Sequence, residues 1–550
     1  MRRTQLVALC AALLAAAACS TGDSAGGDVD GGGGSAVTAT EVDGGEAALC
    51  EPAVDPTGDP GEDRTADLGL EDALTGMRGH ATAVGDVDGD GWVDLFVGTF
   101  ADRPVEDYQV RGADGPAPDR LLLGSPDGFT LDESFPGGLG RTSGAAFADL
   151  DGDDDLDLVV ARNPREGERR DLASVVLEND GGRFSVRTEL DAELGARSIG
   201  VLDYDGDGAL DLYLVVDRFT AGSSLLLRNT GDLTFEDVTA EAGLPGDVEG
   251  LGVVAADLTG DTRPDLFVAG DNRLFVNEGG TFAEVDGPFE WELLGNEDDP
   301  AGAAAADVDG DGLVDLVVGQ HFNSTLDFGA RVPVRLYLNG GVDGDGRPTF
   351  TDVTDETGLP GFPTKAPHVE LVDVDGDGVV DIVTTASAEG GTRPAVLLGE
   401  GGEPPRFTTP DGLGDPQYWI AGAVFDADGD GAPEIFVVEW EPALASKLFE
   451  APEPAGDWVT VAVGPAGARG VGATVEVYEA GGLGSDDARL ATVPIVASVG
   501  FGSGAEPVAR VGVGDRDAVD VRVRMPNDGG TIDVSDVPAG RRVFIDASCP

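Results

Sequence analysis

The run Asp307-Val308-Asp309-Gly310-Asp311-Gly312-Leu313-Val314-Asp315-Leu316 decides how the rest of the chain is read. Counted from Asp307, it has carboxylates at positions 1, 3, 5 and 9 and glycines at 4 and 6. Calcium, a hard cation, takes six to eight oxygens at about 2.3–2.6 Å. A chain wraps such an ion only where alternate side chains point inward and the backbone turns sharply. The aspartates supply the oxygens, and glycine supplies the turn because it enters positive φ without steric cost. The carbonyl at position 7, that of Leu313, adds a backbone oxygen.

The pattern recurs seven times, at steps of 50–66 residues. Loop 1 offers Asp86, Asp88, Asp90, the Trp92 carbonyl and Asp94. Loop 2 offers Asp149, Asp151, Asp153, Asp155 and Asp157; loop 3 offers Asp203, Asp205, Asp207, the Ala209 carbonyl and Asp211. Loop 4 has Asp257, Thr259, Asp261, the Arg263 carbonyl and Asp265, and loop 5 has Asp307, Asp309, Asp311, Leu313 and Asp315. Loop 6 supplies Asp373, Asp375, Asp377, the Val379 carbonyl and Asp381, and loop 7 supplies Asp426, Asp428, Asp430, the Ala432 carbonyl and Glu434. One such run reads equally well as a solvated acidic turn. Seven, each with an acid at position 9, read as sites for up to seven calcium ions. Loop 4, with Thr259, Thr262 at position 6 and Pro264 at position 8, is expected to be the weakest. Loop 2 has Asp154 at position 6, and Asp tolerates the left-handed region better than most residues.

These are not helix–loop–helix calcium sites, which need a Glu at position 12. Position 12 here is apolar or small, as in Val97, Val160 and Val318. Each loop runs straight into a short β-branched segment such as 95–98, 212–215, 316–319 or 435–438, which reads as a buried strand. Every unit is therefore a strand, a metal loop and a strand. A third strand follows, ending near Asn or Gly (Asn179, Asn229, Asn277, Asn339, Gly124, Gly399), and then a fourth, often opening on Phe (Phe129, Phe184, Phe235, Phe282, Phe350). Four strands in each of seven repeats predict an all-β fold, a seven-bladed β-propeller over residues 49–456. The seventh repeat lacks a clear fourth strand, and a segment within residues 50–75 is expected to complete it.

The 550 residues include 104 acidic and 34 basic side chains, a formal net charge of −70. Even with calcium bound the chain stays acidic, which argues against nucleic acid or an anionic membrane face as partner. Basic partners, calcium-bridged partners and a high-salt habitat all remain open. Residues 1–18 read as a signal peptide, with Arg2 and Arg3 ahead of an apolar run to Ala18. Ala16 to Cys19 is similar to a bacterial lipobox with Cys19 lipidated. The same small residues suit ordinary signal peptidase, so anchored and secreted forms are both open. Residues 19–48 read as a flexible tether. Cys50 and Cys549 bracket the folded part and are expected to form a disulfide outside the cytoplasm; two separate thiols or a link to another chain are the alternatives.

Residues 457–550 lack metal loops and hold alternating runs at 458–463, 473–478 and 519–523, which predict a β-sandwich domain.

The repeat array resembles the FG-GAP/VCBS repeats of the integrin α propeller. The segments Phe235-Glu236-Asp237-Val238-Thr239, with Ala242-Gly243-Leu244-Pro245, and Phe350-Thr351-Asp352-Val353-Thr354, with Thr357-Gly358-Leu359-Pro360, are similar to the cartilage acidic protein family and its bacterial relatives. Gly470-Val471-Gly472, Gly500-Phe501-Gly502-Ser503-Gly504 and Val511-Gly512 resemble the ASPIC/UnbV domain of that family, whose Trp-Pro-Ser-Gly turn appears here as Met525-Pro526-Asn527-Asp528-Gly529. The resemblance implies structural calcium on one rim and a surface for adhesion or for recognition of a protein or glycan at the cell surface.

The carboxylates that stand out are committed to the loops, and no hydrolase, metalloprotease or phosphate-loop motif occurs. His80, His321 and His368 fall at unmatched places in their repeats and read as surface or packing residues. A polysaccharide lyase or hydrolase working at the ring axis is the alternative function.

Overall fold

The computed structural model describes residues 40–546 apart from 42–45, 53–58, 164–172, 191–194, 218–221, 290–297, 323–331, 360, 363–367, 386–392, 409–411 and 453–454. Cys19, the signal segment and Cys549 lie outside the described residues. Residues 38–550 form one compact unit.

Each loop joins the first and second strands of an antiparallel sheet, and those strands are largely buried, their polar side chains such as Thr82 bonded to neighbouring backbone. In the second sheet, for example, Thr142–Ala148 and Asp157–Arg162 flank loop 2, and Val175–Asn179 and Phe184–Glu189 follow. The first two strands are buried along their whole length, while Phe184–Glu189 is mostly exposed beyond Phe184 and reads as an outer edge. The sheets around loops 3 to 6 repeat this order.

Consecutive sheets share hydrophobic layers. Ala83, Phe96 and Leu121 of the first pack on Ala145, Phe147 and Leu158 of the second, and the succession continues through the seventh. It then returns to its start, since Phe425, Phe436 and Leu448 of the seventh lie in one cluster with Val84, Leu95 and Leu122 of the first. The arrangement is all-β and propeller-like.

The expected completion of the seventh sheet is seen at residues 61–64. Gly61 N–H donates to Ala451 (3.1 Å), Glu450 N–H to Glu62 (2.9 Å) and Arg64 N–H to Leu448 (2.9 Å). The boundary at residue 49 is displaced. Glu46–Pro52 does not join the repeats; it pairs with Arg541–Ile545, Ala47 opposite Ile545 and Leu49 opposite Val543. That sheet also holds Asp457–Val463 and Val508–Gly514. A second sheet, built from Arg489–Pro494, Thr474–Glu479, Ala518–Arg524 and Thr531–Pro538, faces it. The core between them is a set of alternating valines, Val459, Val461 and Val463 against Val475, Val477, Val521 and Val523.

One segment of this C-terminal region, Ile495 to Glu506, runs into the middle of the ring. Ser503 and Gly504 pair in parallel with Thr82 and Ala83 of the first sheet, and Gly500 exchanges hydrogen bonds with Ala303 of the fifth (2.9 and 3.3 Å). Ser498 Oγ donates to the Ile199 carbonyl of the third sheet (2.5 Å). Gly500 takes φ of 61°, and a Cβ there would lie 2.6 Å from the Val369 carbonyl oxygen, so only glycine lets the backbone pass. Phe501, 2% exposed, packs on Leu251, Ala301 and Ile420.

Candidate metal centres

All seven loops adopt one hydrogen-bonded turn. The position 1 carboxylate accepts from the N–H of position 4 at 2.7–2.9 Å. Its second oxygen accepts from position 6 at 2.7–3.1 Å. The position 5 carboxylate accepts from the N–H of position 7 at 2.7–3.1 Å. Positions 4 and 6 lie in the left-handed region throughout, including Asp154 (φ 76°) and Thr262 (φ 69°) where glycine is replaced.

Position 9 is the inner wall of each loop. Its carboxylate is buried and accepts from the N–H of position 2 at 2.6–3.1 Å. In loops 1 to 6 the other oxygen accepts from the end of the third strand at 2.7–2.9 Å. A carboxylate oxygen has a second lone pair, so these bonds orient position 9 and still leave it able to ligate.

The side chains converge. In loops 1 and 5, carboxylate oxygens of positions 1, 3 and 5 lie within 4.8 Å of one another; in loops 2, 3 and 6 the set is positions 1, 3 and 9. Burial, opposed by N–H donors and reinforced by neighbouring carboxylates, pushes Asp86 up to about 6 and Asp94, Asp315 and Asp381 up to about 8. Crowded, half-desolvated carboxylates favour protons or a multivalent cation over ionisation alone. The donors are carboxylate and carbonyl oxygens without nitrogen or sulfur, which suits a hard divalent ion. Loop 4 differs chemically: the Arg263 guanidinium pairs with Asp261 at position 5, so a cation from the loop itself already sits on one ligand.

Sequence reasoning missed two sets of residues. The first is the asparagine that ends the third strand. Asn179, Asn229, Asn277 and Asn339 each donate from Nδ2 to the position 2 carbonyl of the preceding loop, Val87, Leu150, Tyr204 and Leu258, at 2.6–2.9 Å. Each asparagine thus stitches one sheet to the loop of its neighbour. Its recurrence at one place in four repeats was the available signal.

The second set lies in the C-terminal region, which rests on the loop-bearing face. Asn527 Nδ2 donates to the Asp203 carbonyl of loop 3 (2.9 Å), and its N–H to Thr262 of loop 4 (2.8 Å). Arg489 reaches the Asp311 carbonyl of loop 5 (2.6 Å), and Gly514 N–H and Trp458 Nε1 reach Gly376 and Asp373 of loop 6 (3.0 and 3.3 Å). The turn at 525–529 is thereby given a place.

The three histidines, unmatched in the repeats, meet at one residue. Phe501 lies 5.4 Å from the His80 ring and 5.9 Å from that of His321, and its N–H points at His368 Nδ1 (3.4 Å). His80 and His368 are buried packing residues, not surface ones.

Residues 203–268 and 373–437, the strand–loop–strand cores of repeats 3–4 and 6–7, match the family described as FG-GAP-like repeat. FG-GAP-like repeats, together with likeness to cartilage acidic proteins at modest identity, support assignment to that family. The chain is similar to cartilage acidic protein 1 of Mus musculus, 27% identical over 359 residues covering 60% of this chain and 51% of that one. For the Homo sapiens protein the identity is 28%, over 60% and 50% of the two chains. The chain thus spans about half the length of these relatives. Among solved structures it is similar to a Bacillus licheniformis rhamnogalacturonan lyase at 12% identity and a TM-score of 0.37, over 68% of this chain and 72% of the other.

Proposed function

We propose that the chain is an extracellular calcium-binding protein. Its seven sheets are the blades of a seven-bladed propeller, its C-terminal region is a β-sandwich, and the whole serves as an adhesion or ligand-recognition scaffold for a protein or glycan at the cell surface. Export through residues 1–18, attachment through Cys19 and a bond between Cys50 and Cys549 belong to the same reading. The observation that carries it is the sevenfold repetition of one oxygen-lined turn, kept in its hydrogen bonds even where Thr259 and Thr262 depart from the pattern. A generic acidic surface does not reproduce the same three bonds seven times.

Calcium modules outside the cell bind at roughly 0.1–1 mM. At ten times the dissociation constant each site adds about 1.4 kcal/mol, so seven additive sites contribute on the order of 10 kcal/mol. That equals the stability of an ordinary domain. The test is twofold. Calcium titration of chelated protein should raise the melting temperature in steps to a plateau, with up to seven ions bound by elemental analysis. Immobilised protein should then capture matrix or cell-wall glycans, or matrix proteins, with calcium and not with EGTA. Melting that ignores calcium, or capture that ignores EGTA, overturns the reading. The competing reading is a lyase or hydrolase with its site at the ring axis, beside residues 495–506.

A further inference from the structure

The ring face away from the loops gathers arginines, although the chain has 104 acidic against 34 basic side chains. Arg78 and Arg141 directly precede first strands, at the ends opposite the loops, and Arg103 and Arg111 flank the short helix Val105–Val110. Most are matched. Arg141 faces Asp102 at 3.6 Å, Arg197 pairs with Asp217, and Arg111 forks onto Glu441 at 2.5 and 2.7 Å.

Arg78 is not. It is 5% exposed, its guanidinium carbon lies 4.0 Å from the centre of the Trp440 ring, its Nε is buried without a hydrogen-bond partner, and no carboxylate forms an ion pair with it among the described residues, Glu441 acting only at a distance. Burial, with Arg111 and Arg103 nearby, pushes it down to about 10, so it keeps its charge at neutral pH. An unsatisfied buried charged donor costs more than the roughly 1–3 kcal/mol of a neutral one, and an anion delivered to it recovers that cost.

Aromatic rings surround it. Trp440 and Tyr418 are half-buried with centroids 6.2 Å apart, and Phe100 lies 5.3 Å from Trp440 and stacks on His80 at 4.0 Å. Phe501 from the C-terminal segment lies beneath, 5.4 Å from His80.

We propose that this cluster binds a carboxylate-bearing sugar, a single hexuronate unit, with the carboxylate on Arg78 and the ring on Trp440. A planar guanidinium accepts a carboxylate bidentately. An indole face with one side in water stacks on the apolar face of a pyranose. The net charge of −70 repels a ligand in proportion to its own charge, which favours one anionic unit over a polyanion. The inference goes beyond the scaffold reading by naming a ligand class, and it uses residues on the other face from the metal loops.

The test is a calorimetric and tryptophan-fluorescence titration of the full chain, in calcium, with galacturonic acid. Galactose and N-acetylglutamate serve as the neutral-sugar and sugar-free counterparts. Galacturonate should bind at least about tenfold more tightly than galactose, and Arg78→Gln should abolish that preference, a loss expected for one charge-assisted contact. Should Arg78→Gln fail to fold, Trp440→Leu provides the second variant, and it should weaken galacturonate and galactose together. Absence of galacturonate binding, an unchanged preference in folded Arg78→Gln, or unweakened binding in Trp440→Leu overturns the proposal. So does N-acetylglutamate binding as tightly as galacturonate, since the sugar ring would then contribute nothing. Any of these failures leaves the calcium reading untouched.

Discussion

Arg469 forks onto Asp154, Nε donating to Oδ1 and Nη2 to Oδ2, each at 2.7 Å. Asp154 holds position 6 of loop 2, where five other loops carry glycine. The remaining exception is Thr262 in loop 4, and it too is held by the C-terminal region, through the N–H groups of Asn527 and Asp528 (2.8 and 3.0 Å). The two places where the turn departs from glycine are thus two places where the loop is gripped from outside.

Unequal consequences are expected from breaking the two grips. The Arg469 side chain is 49% exposed, so its fork is screened and Arg469→Ala should cost under about 1 kcal/mol. Asn527→Ala removes a part-buried donor to Asp203 and puts alanine at φ of 52°, which should cost about 2 kcal/mol or more. Urea melts of the two variants check the order, and a larger loss for Arg469→Ala would reverse it.

Metal removal should loosen more than the loops. Trp458 Nε1 donates to the Asp373 carbonyl at position 1 of loop 6, so an altered loop is felt in the C-terminal region. Excess EGTA should lower the melting temperature sharply and change tryptophan emission in the same titration. Identical melting curves with and without EGTA would defeat the metal assignment.

Loop 4 should improve on losing its own cation. Arg263→Leu frees Asp261 from its guanidinium partner, and Thr259→Asp restores the missing carboxylate. The double variant should tighten one site about tenfold or more in calcium calorimetry, since it removes a competing unit charge and adds a ligand. Asp309→Asn in loop 5 should instead weaken one site. An isotherm unchanged by the loop 4 pair would show that this loop takes no metal.

Glu439 sets a pH dependence. It is 1% exposed; burial and nearby Glu441, opposed by backbone N–H donors, carry it up to about 7 from 4.5. A carboxyl with a raised folded value favours the fold fully below about 4.5, and that contribution is lost as pH climbs towards 7. Glu439→Gln should therefore be near neutral at pH 4 and stabilising by about 2–3 kcal/mol at pH 8. Thermal melts at the two pH values decide it; equal shifts would mean that Glu439 does not titrate in this range.

Filling of the axis should be costly to undo. Phe501→Ala should lose about 3–5 kcal/mol, the range for deleting a buried aromatic side chain. A loss near zero would mean that the segment does not occupy the ring in solution.

The seven acidic turns were legible because their geometry is local. Carboxylates at alternate positions and glycines at 4 and 6 lie within ten residues, and the turn they form needs nothing from elsewhere. The fourth edge at residues 61–64 was legible by deficit, since the seventh repeat visibly lacked a strand. Asn229 and its counterparts were visible as a recurrence, but their bond partners sit about eighty residues away in the preceding loop. Phe501 and the three histidines could not be joined from sequence at all. His80, His321 and His368 occupy different strand positions, and only the wrapping of the sheets brings them around one ring that arrives from another region. Arg78 was invisible for the same reason: its lack of a carboxylate is a property of its surroundings.

The pairing of Glu46–Pro52 with Arg541–Ile545 joins segments nearly five hundred residues apart. Glu46–Pro52 leaves the ribosome first and has no edge to lie on until Arg541–Ile545 arrives. Before then the newly made repeats, whose own edge closes through residues 61–64, carry a hub not yet filled by residues 495–506.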